Sequence, residues 1–164
     1  MPPETNMVLL MRRKLSLNDY ALWLLGVREY TVKRLRQKCI ERYPDQLEAI
    51  ETLIKKFIQN KYLNDERFCE VMIRSEIGKG NGQQKIYSKL IQKGVDSSLA
   101  KKKCAELMVV DDQLGPARAL AEKKRQQIDR KYPDLSDYEK QAKLTQYLAG
   151  RGYDYDLIKR VLTD

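Results

Sequence analysis

The pentapeptide Gly78-Lys79-Gly80-Asn81-Gly82 is the stretch whose residue types come closest to chemistry. Glycines ahead of a helix leave backbone N–H groups open, and such donors attract phosphate. A P-loop also needs a Lys-Ser/Thr pair after its last glycine and a strand before the loop. Here Gln83-Gln84 follows and a helical pattern precedes. The expectation is a helix–helix turn, with Lys79 or Lys85 as a contact to phosphate. Other chemistry is poorly served. Histidine is absent, so general base work would fall to carboxylates, and Asp65-Glu66 and Asp111-Asp112 read as N-cap and turn residues. Cys39, Cys69 and Cys104 form no CxxC pair, and without histidine a zinc site is not expected. No serine or cysteine has an activating partner in its motif context. The sequence predicts a non-enzyme with neither metal nor cofactor.

The elements that carry these residues are helical throughout. Leu, Lys, Gln, Glu and Arg are abundant, with only 8 glycines and 5 prolines in 164 residues. Apolar residues recur at helical spacing, and no β-branched run alternates with period two. Residues 1–15 read as a loose arm. Met7–Met11 is too short to span a membrane, and Arg12-Arg13-Lys14 follows it where a signal peptide would have cations ahead. Ser16 caps a first helix with Tyr20, Trp23, Leu24 and Val27 inward, and a second from Thr31 buries Val32, Leu35 and Cys39. A third carries Leu47, Ile50, Ile54, Phe57 and Ile58. Asn64 caps a fourth, with Phe68, Met72 and Ser75 on one face and Val71 beside them. Gln83 opens a fifth with Ile86, Leu90 and Ile91 inward, ended by Lys93-Gly94. Asp96 caps a sixth. Asp111–Gly115 is a predicted turn, and Pro116 suits the first position of a seventh. Ser136 begins an eighth, and Asp154 caps a ninth.

These helices fall into threes. Leu35-x-x-Lys38-Cys39, Leu90-x-x-Lys93-Gly94 and Leu148-x-x-Arg151-Gly152 share the pattern Leu-x-x-cation-small. The predicted fold is therefore all-α, with three-helix modules at 16–63, 64–112 and 113–164 in an elongated, curved tandem array. The net charge of +9 is spread evenly: stretches divided at residues 70 and 115 each carry +3. Distributed charge suits a long anionic partner. The dense run Lys33, Arg34, Arg36, Lys38 makes the second helix a favoured contact surface, whereas Lys101-Lys102-Lys103 and Lys123-Lys124-Arg125 read mostly as solvated faces. Tyr43, Tyr62, Tyr132 and Tyr153 sit at helix ends, expected to cap the core with their hydroxyls in water. An odd number of cysteines on apolar faces reads as buried, reduced thiols, which places the chain in the cytoplasm.

The stretch Tyr62-Leu63-Asn64-Asp65-x-Arg67-Phe68 resembles the Gly-Tyr-Leu-Asp-Asp-x-Arg-Phe signature of the RecX family, regulators of the RecA recombinase, and Lys93-Gly94-Val95 resembles that family's Lys-Gly-aliphatic. Ala21-Leu22-x-Leu24-Leu25 with Arg28-Glu29-Tyr30-Thr31, and Tyr147-Leu148-x-x-Arg151-Gly152-Tyr153 with Val161-Leu162, extend the likeness over about residues 20–163. Departures are Lys61 for the usual glycine, Asn64 for the first aspartate, and Arg34-Leu35 for the family's Glu-Leu, which puts an inherited contact at Arg34 in doubt. The resemblance implies a protein without catalytic activity that binds RecA filaments on single-stranded DNA, and a monomer is expected. It would lie in their helical groove and dampen strand exchange, ATP turnover and the co-protease activity of the SOS response. Contact residues are expected at Arg28, Arg34, Lys38, Arg74, Lys79, Lys85, Lys93 and Arg151. The competing expectation is a helical DNA-binding module acting without RecA, although such a reader would gather its cations on one recognition helix.

Overall fold

The computed structural model describes residues 15–163, so the predicted N-terminal arm lies outside the described residues apart from Leu15. Among them are nine helices and no strand: α1 Leu17–Val27, α2 Val32–Arg42, α3 Leu47–Gln59, α4 Asp65–Gly78, α5 Gln83–Gln92, α6 Ser97–Leu107, α7 Val110–Lys131, α8 Asp137–Gly150 and α9 Tyr155–Thr163. The chain divides into two compact units, the first ending at Phe68 and the second beginning at Cys69.

In the first unit, Ser16 and Thr31 cap α1 and α2, each side-chain oxygen accepting from the backbone N–H three residues on. Leu35 and Cys39 of α2 meet Ile50, Leu53, Ile54 and Phe57 of α3, with Ala21, Leu24 and Tyr30 closing the core. Each fully buried side chain of this size contributes about 1.5–3 kcal/mol. Val27, Leu47 and Ile58, expected inward, are exposed. Leu47 begins its helix and Val27 ends its own, where little remains to pack against, and Leu53 takes a core place of α3 instead.

Lys61 ends α3 in the left-handed conformation with φ +58°, the only positive φ outside glycine among the described residues. The Tyr62 N–H then reaches back to the Phe57 carbonyl at 2.9 Å. A Cβ costs roughly 1 kcal/mol in that region, a cost that glycine would avoid. Lys61→Gly is expected to raise the stability of the first unit by about 0.5–1 kcal/mol, read as a higher urea midpoint; an unchanged or lower midpoint would contradict it.

In the second unit, α4 turns a different face inward from the predicted one. Cys69, Ile73 and Glu76 are buried, Phe68 and Met72 are half-buried, and Ser75 and Val71 are exposed. The face is rotated by one residue because Glu76, a charge that would ordinarily point outward, has three donors inside. Ile86 and Leu90 of α5 are fully buried while Ile91 is exposed. The predicted turn at 111–115 is helical: α7 runs from Val110 with Pro116 inside it. Proline lacks the N–H that would reach residue 112. Ala117 and Ala121, both buried against α9, let the two helices approach closely just beyond that point.

The repeat pattern holds for two of its three copies. Gly94 and Gly152 have φ +88° and +90°, and Val95 and Tyr153 donate back to the carbonyls of Leu90 and Leu148. Both are Schellman ends, and the side chains of Asp96 and Asp154 then cap α6 and α9. The first copy is no helix end: α2 continues past Cys39 to Arg42, so Lys38 lies inside the helix.

Candidate functional site

Three of the eight predicted contact residues converge in the second unit. The loop between α4 and α5 lies on the turn between α8 and α9, and the backbones bond directly. Gly82 N–H donates to the Arg151 carbonyl at 2.8 Å and Gln84 N–H to the Gly152 carbonyl at 3.1 Å. Around them the Arg151 guanidinium donates to the Lys79 carbonyl at 3.0 Å. The Lys85 ammonium reaches the Gly150 carbonyl at 3.4 Å, and the Tyr153 hydroxyl the Gly80 carbonyl at 3.4 Å. A lysine on the last carbonyls of α8 complements the negative end of that helix.

Two of the amide donors that would cradle an anion at the start of α5, those of Gly82 and Gln84, already hold the carbonyls of Arg151 and Gly152. The glycines serve the approach: a Cβ on Gly82 would lie 2.5 Å from Gly152 carbonyl carbon, and one on Gly152 would lie 2.4 Å from Lys85 Cβ. The predicted helix–helix turn holds; of its glycines Gly82 fits against neighbouring backbone, Gly80 against the Leu120 side chain, and Gly78 faces open space.

Glu76 organises the same region. Its carboxylate accepts from Lys79 at 2.7 Å, Lys89 at 2.6 Å and Asn81 Nδ2 at 2.6 Å, and it is only 5% exposed. Burial pushes its pKa up, but the hydrogen bonds from Lys79, Lys89 and Asn81 outweigh it and hold the group down at about 2. Asn81 Oδ1 is buried without a protein partner, for which the surrounding groups offer no reason.

The remaining predicted contacts are dispersed. Arg28 follows α1 and stacks over the ring of Tyr30, 4.8 Å from its centroid. Arg34 donates to Gln37, and Lys38 pairs with Glu41 at 2.8 Å. Arg36, counted in the same basic run, forms a two-pronged pair with Glu51 of α3 at 2.7 and 3.2 Å. The predicted density of charge on α2 is therefore partly neutralised. Arg74 on α4 and Lys93 at the end of α5 are both exposed.

Sequence reading missed three features. Lys103, placed on a solvated face, is 8% exposed and bonds Glu70 at 3.0 Å. The hydroxyls of Tyr43 and Tyr153, expected in water, bond the carbonyls of Leu15 and Gly80. Most distinct is a row along α7 and α8 where lysines and an arginine lie over tyrosine rings. Tyr132 takes Lys131 at 5.2 Å and Lys143 at 4.9 Å, and Tyr147 takes Lys124 at 5.1 Å and Arg151 at 5.4 Å. The four-residue spacing Lys143, Tyr147, Arg151 was the available signal.

Cys39, Cys69 and Cys104 are buried and outside any disulfide, and burial pushes the Cys39 thiol up to about 11, which disfavours its nucleophilic thiolate. Among the described residues no cluster of Cys, Asp or Glu could hold a metal, and no helix is long and apolar enough to cross a membrane. Short helices in threes, clasped turn to turn in the second unit and edged with cations, define a helical-repeat protein. Residues 64–102 match the second three-helix domain of RecX, and residues 111–162 match the third. The regulatory protein RecX of Vibrio parahaemolyticus is 32% identical over 91% of both chains, and that of Vibrio campbellii 33% over 91% of both. The crystal structure of RecX from Lactobacillus salivarius superposes with a TM-score of 0.78 at 27% identity, covering 89% of this chain and 92% of that one. The chain belongs to the RecX family.

Proposed function

We propose that this protein binds RecA filaments assembled on single-stranded DNA and inhibits their recombinase, ATPase and co-protease activities, thereby modulating DNA repair and the SOS response. The observation that carries this reading is kinship with regulatory RecX proteins across nine-tenths of both chains. The relatives are named as regulators, and a non-catalytic role also fits side chains spent on caps, clasps and ion pairs. Three-helix modules in tandem would each contribute a weak contact and gain affinity through effective concentration. The reading places a single chain in the cytoplasm along the filament groove, touching it through exposed cations of which Arg74 and Lys93 are examples.

Co-sedimentation with preassembled RecA filaments, beside bare single-stranded DNA at the same salt, tests it. Retention on filaments at physiological ionic strength is expected. Arg74→Glu combined with Lys93→Glu should lower that retention several-fold while helical content stays unchanged. Equal binding to filament and bare DNA, lost steeply as salt rises, would favour the alternative of a DNA-binding module that acts without RecA.

A further inference from the structure

Helix α1 is apolar on nearly every side, although only one side has a core to face. Leu17, Ala21 and Leu24 are buried in the core of the first unit. Outside that stripe stand Leu22, 41% exposed, Val27, 62% exposed, and the half-buried Trp23 and Leu25. Asn18 and Asp19, both in the first turn, are its only amide and carboxylate side chains. Among the nine described helices, α1 alone carries no lysine or arginine. A helix that is hydrophobic all round is ordinarily covered all round. The outer side of α1 thus combines the composition of a buried face with the exposure of a surface one.

A segment able to cover it precedes it in the chain. Residues 1–14, outside the described residues, hold the unbroken apolar run Met7-Val8-Leu9-Leu10-Met11. Where they end is fixed. The Leu15 carbonyl accepts from the Tyr43 hydroxyl at 2.6 Å, which sets the last joint of the arm at the start of α1. Reach is sufficient. Leu22 and Leu25 lie roughly 8 and 12 Å along the axis from the first residue of α1. A chain that turns back at Leu15 can carry Leu10 about 17 Å and Met7 about 27 Å from it. Charge agrees as well. Asp19, exposed in the first turn of that outer side, presents a carboxylate to the cations Arg12, Arg13 and Lys14 that lead into the helix.

We propose that residues 7–11 fold back along the outer side of α1 and cover Leu22, Trp23 and Leu25, with Arg12, Arg13 and Lys14 passing Asp19. The arm is then a strap on its own module, and displacing it uncovers an apolar strip. A second copy of the chain could cover the same strip only at its bulk concentration. The arm is tethered a few residues away, at an effective concentration on the order of millimolar. The strap rests on α1 and the arm alone and is independent of the filament reading.

Trp23, the only tryptophan of the chain, reports on the strip directly. The test is acrylamide quenching of its fluorescence in the full chain. Val8→Ser with Leu9→Ser and Leu10→Ser should raise the quenching constant about twofold, as a strip kept mostly closed becomes open. Emission should shift to the red while far-UV circular dichroism stays unchanged. Trypsin reads the other side of the contact, since it cuts after Arg12, Arg13 and Lys14. Leu22→Ser, at an exposed position that leaves the core intact, should speed loss of the arm several-fold, followed by mass. Val71→Ser, an equally exposed apolar position on α4, should leave that rate as in wild type. A wild-type quenching constant already equal to that of the arm variant would overturn the strap, because the strip would then lie open to water. Equal tryptic rates in the wild-type and Leu22→Ser chains would overturn it too. So would a dimer by light scattering whose dilution exposes Trp23, because a second copy would then be the cover.

Discussion

Gly152→Ala is expected to unfold or loosen the second unit at a cost of about 3 kcal/mol or more, a large share of the stability of a small domain. Two effects combine. With φ +90°, Gly152 occupies backbone territory that an L side chain resists. The added Cβ would also meet Lys85 Cβ at 2.4 Å and its backbone nitrogen at 2.5 Å. Lys85 cannot swing aside, because the second contact is main chain within the first turn of α5. Relief would require the two turns to part, which releases the bonds from Gly82 and Gln84 to Arg151 and Gly152. Gly150→Ala, two residues away with nothing within 4 Å of the new atom, is the control and is expected to be neutral or slightly stabilising. Urea unfolding followed by far-UV circular dichroism would measure both. The single tryptophan, Trp23, lies in the first unit, so its fluorescence separates that unit's transition from the second's. A Gly152→Ala midpoint equal to wild type, with the Gly82 amide still protected from hydrogen exchange, would show that the seam has slack.

That seam marks how far a sequence can be read. Caps and stops were legible because they act through neighbours three to six residues away: Ser16, Thr31, Asn64, Asp96 and Asp154 all cap the helices assigned to them. The all-α class and the family signature followed from the same local rules. The role of Gly82 was not legible, since its partner stands seventy residues on. Local pattern shows that a glycine breaks a helix; only tertiary structure shows which backbone it admits. Glu76 misled for the same reason. A glutamate on an apolar face reads as a face boundary, and the inward stripe of α4 was drawn through Ser75 instead. The clasp was hidden because Lys89, which helps to hold the charge inside, comes from the next helix. Of the candidate contacts, Lys79, Lys85 and Arg151 are brought together by bonds between the two turns, while Lys124 and Lys143, which were not among the candidates, lie over the rings of Tyr147 and Tyr132.

Glu76→Gln should cost on the order of 2–3 kcal/mol at pH 7, with the loss fading under acid. The wild-type carboxylate sits at about 2 when folded against an ordinary value of 4.5. Because the folded pKa is depressed, the stabilisation is fully present above the unfolded value and is lost as pH falls through the folded one. Each tenfold difference in proton affinity corresponds to about 1.4 kcal/mol. Glutamine keeps the shape and can still accept from Asn81 or a lysine. It leaves Lys79, 60% exposed, and Lys89, 35% exposed, beside a neutral group; both stay open to water, so what is lost is the attraction of the two ion pairs. Other carboxylates also titrate in acid, so the telling quantity is the difference between wild type and variant, measured by urea unfolding of the second unit. That difference should hold steady from pH 7 to about 5, shrink from about 4.5 to 2, and approach zero below. A gap that stayed constant throughout would mean the glutamate stabilises by its shape alone. A gap that was absent at pH 7 would mean that Lys79 and Lys89 gain as much from water as from the carboxylate, leaving the turn into α5 held by Asn81 and the glycine seam.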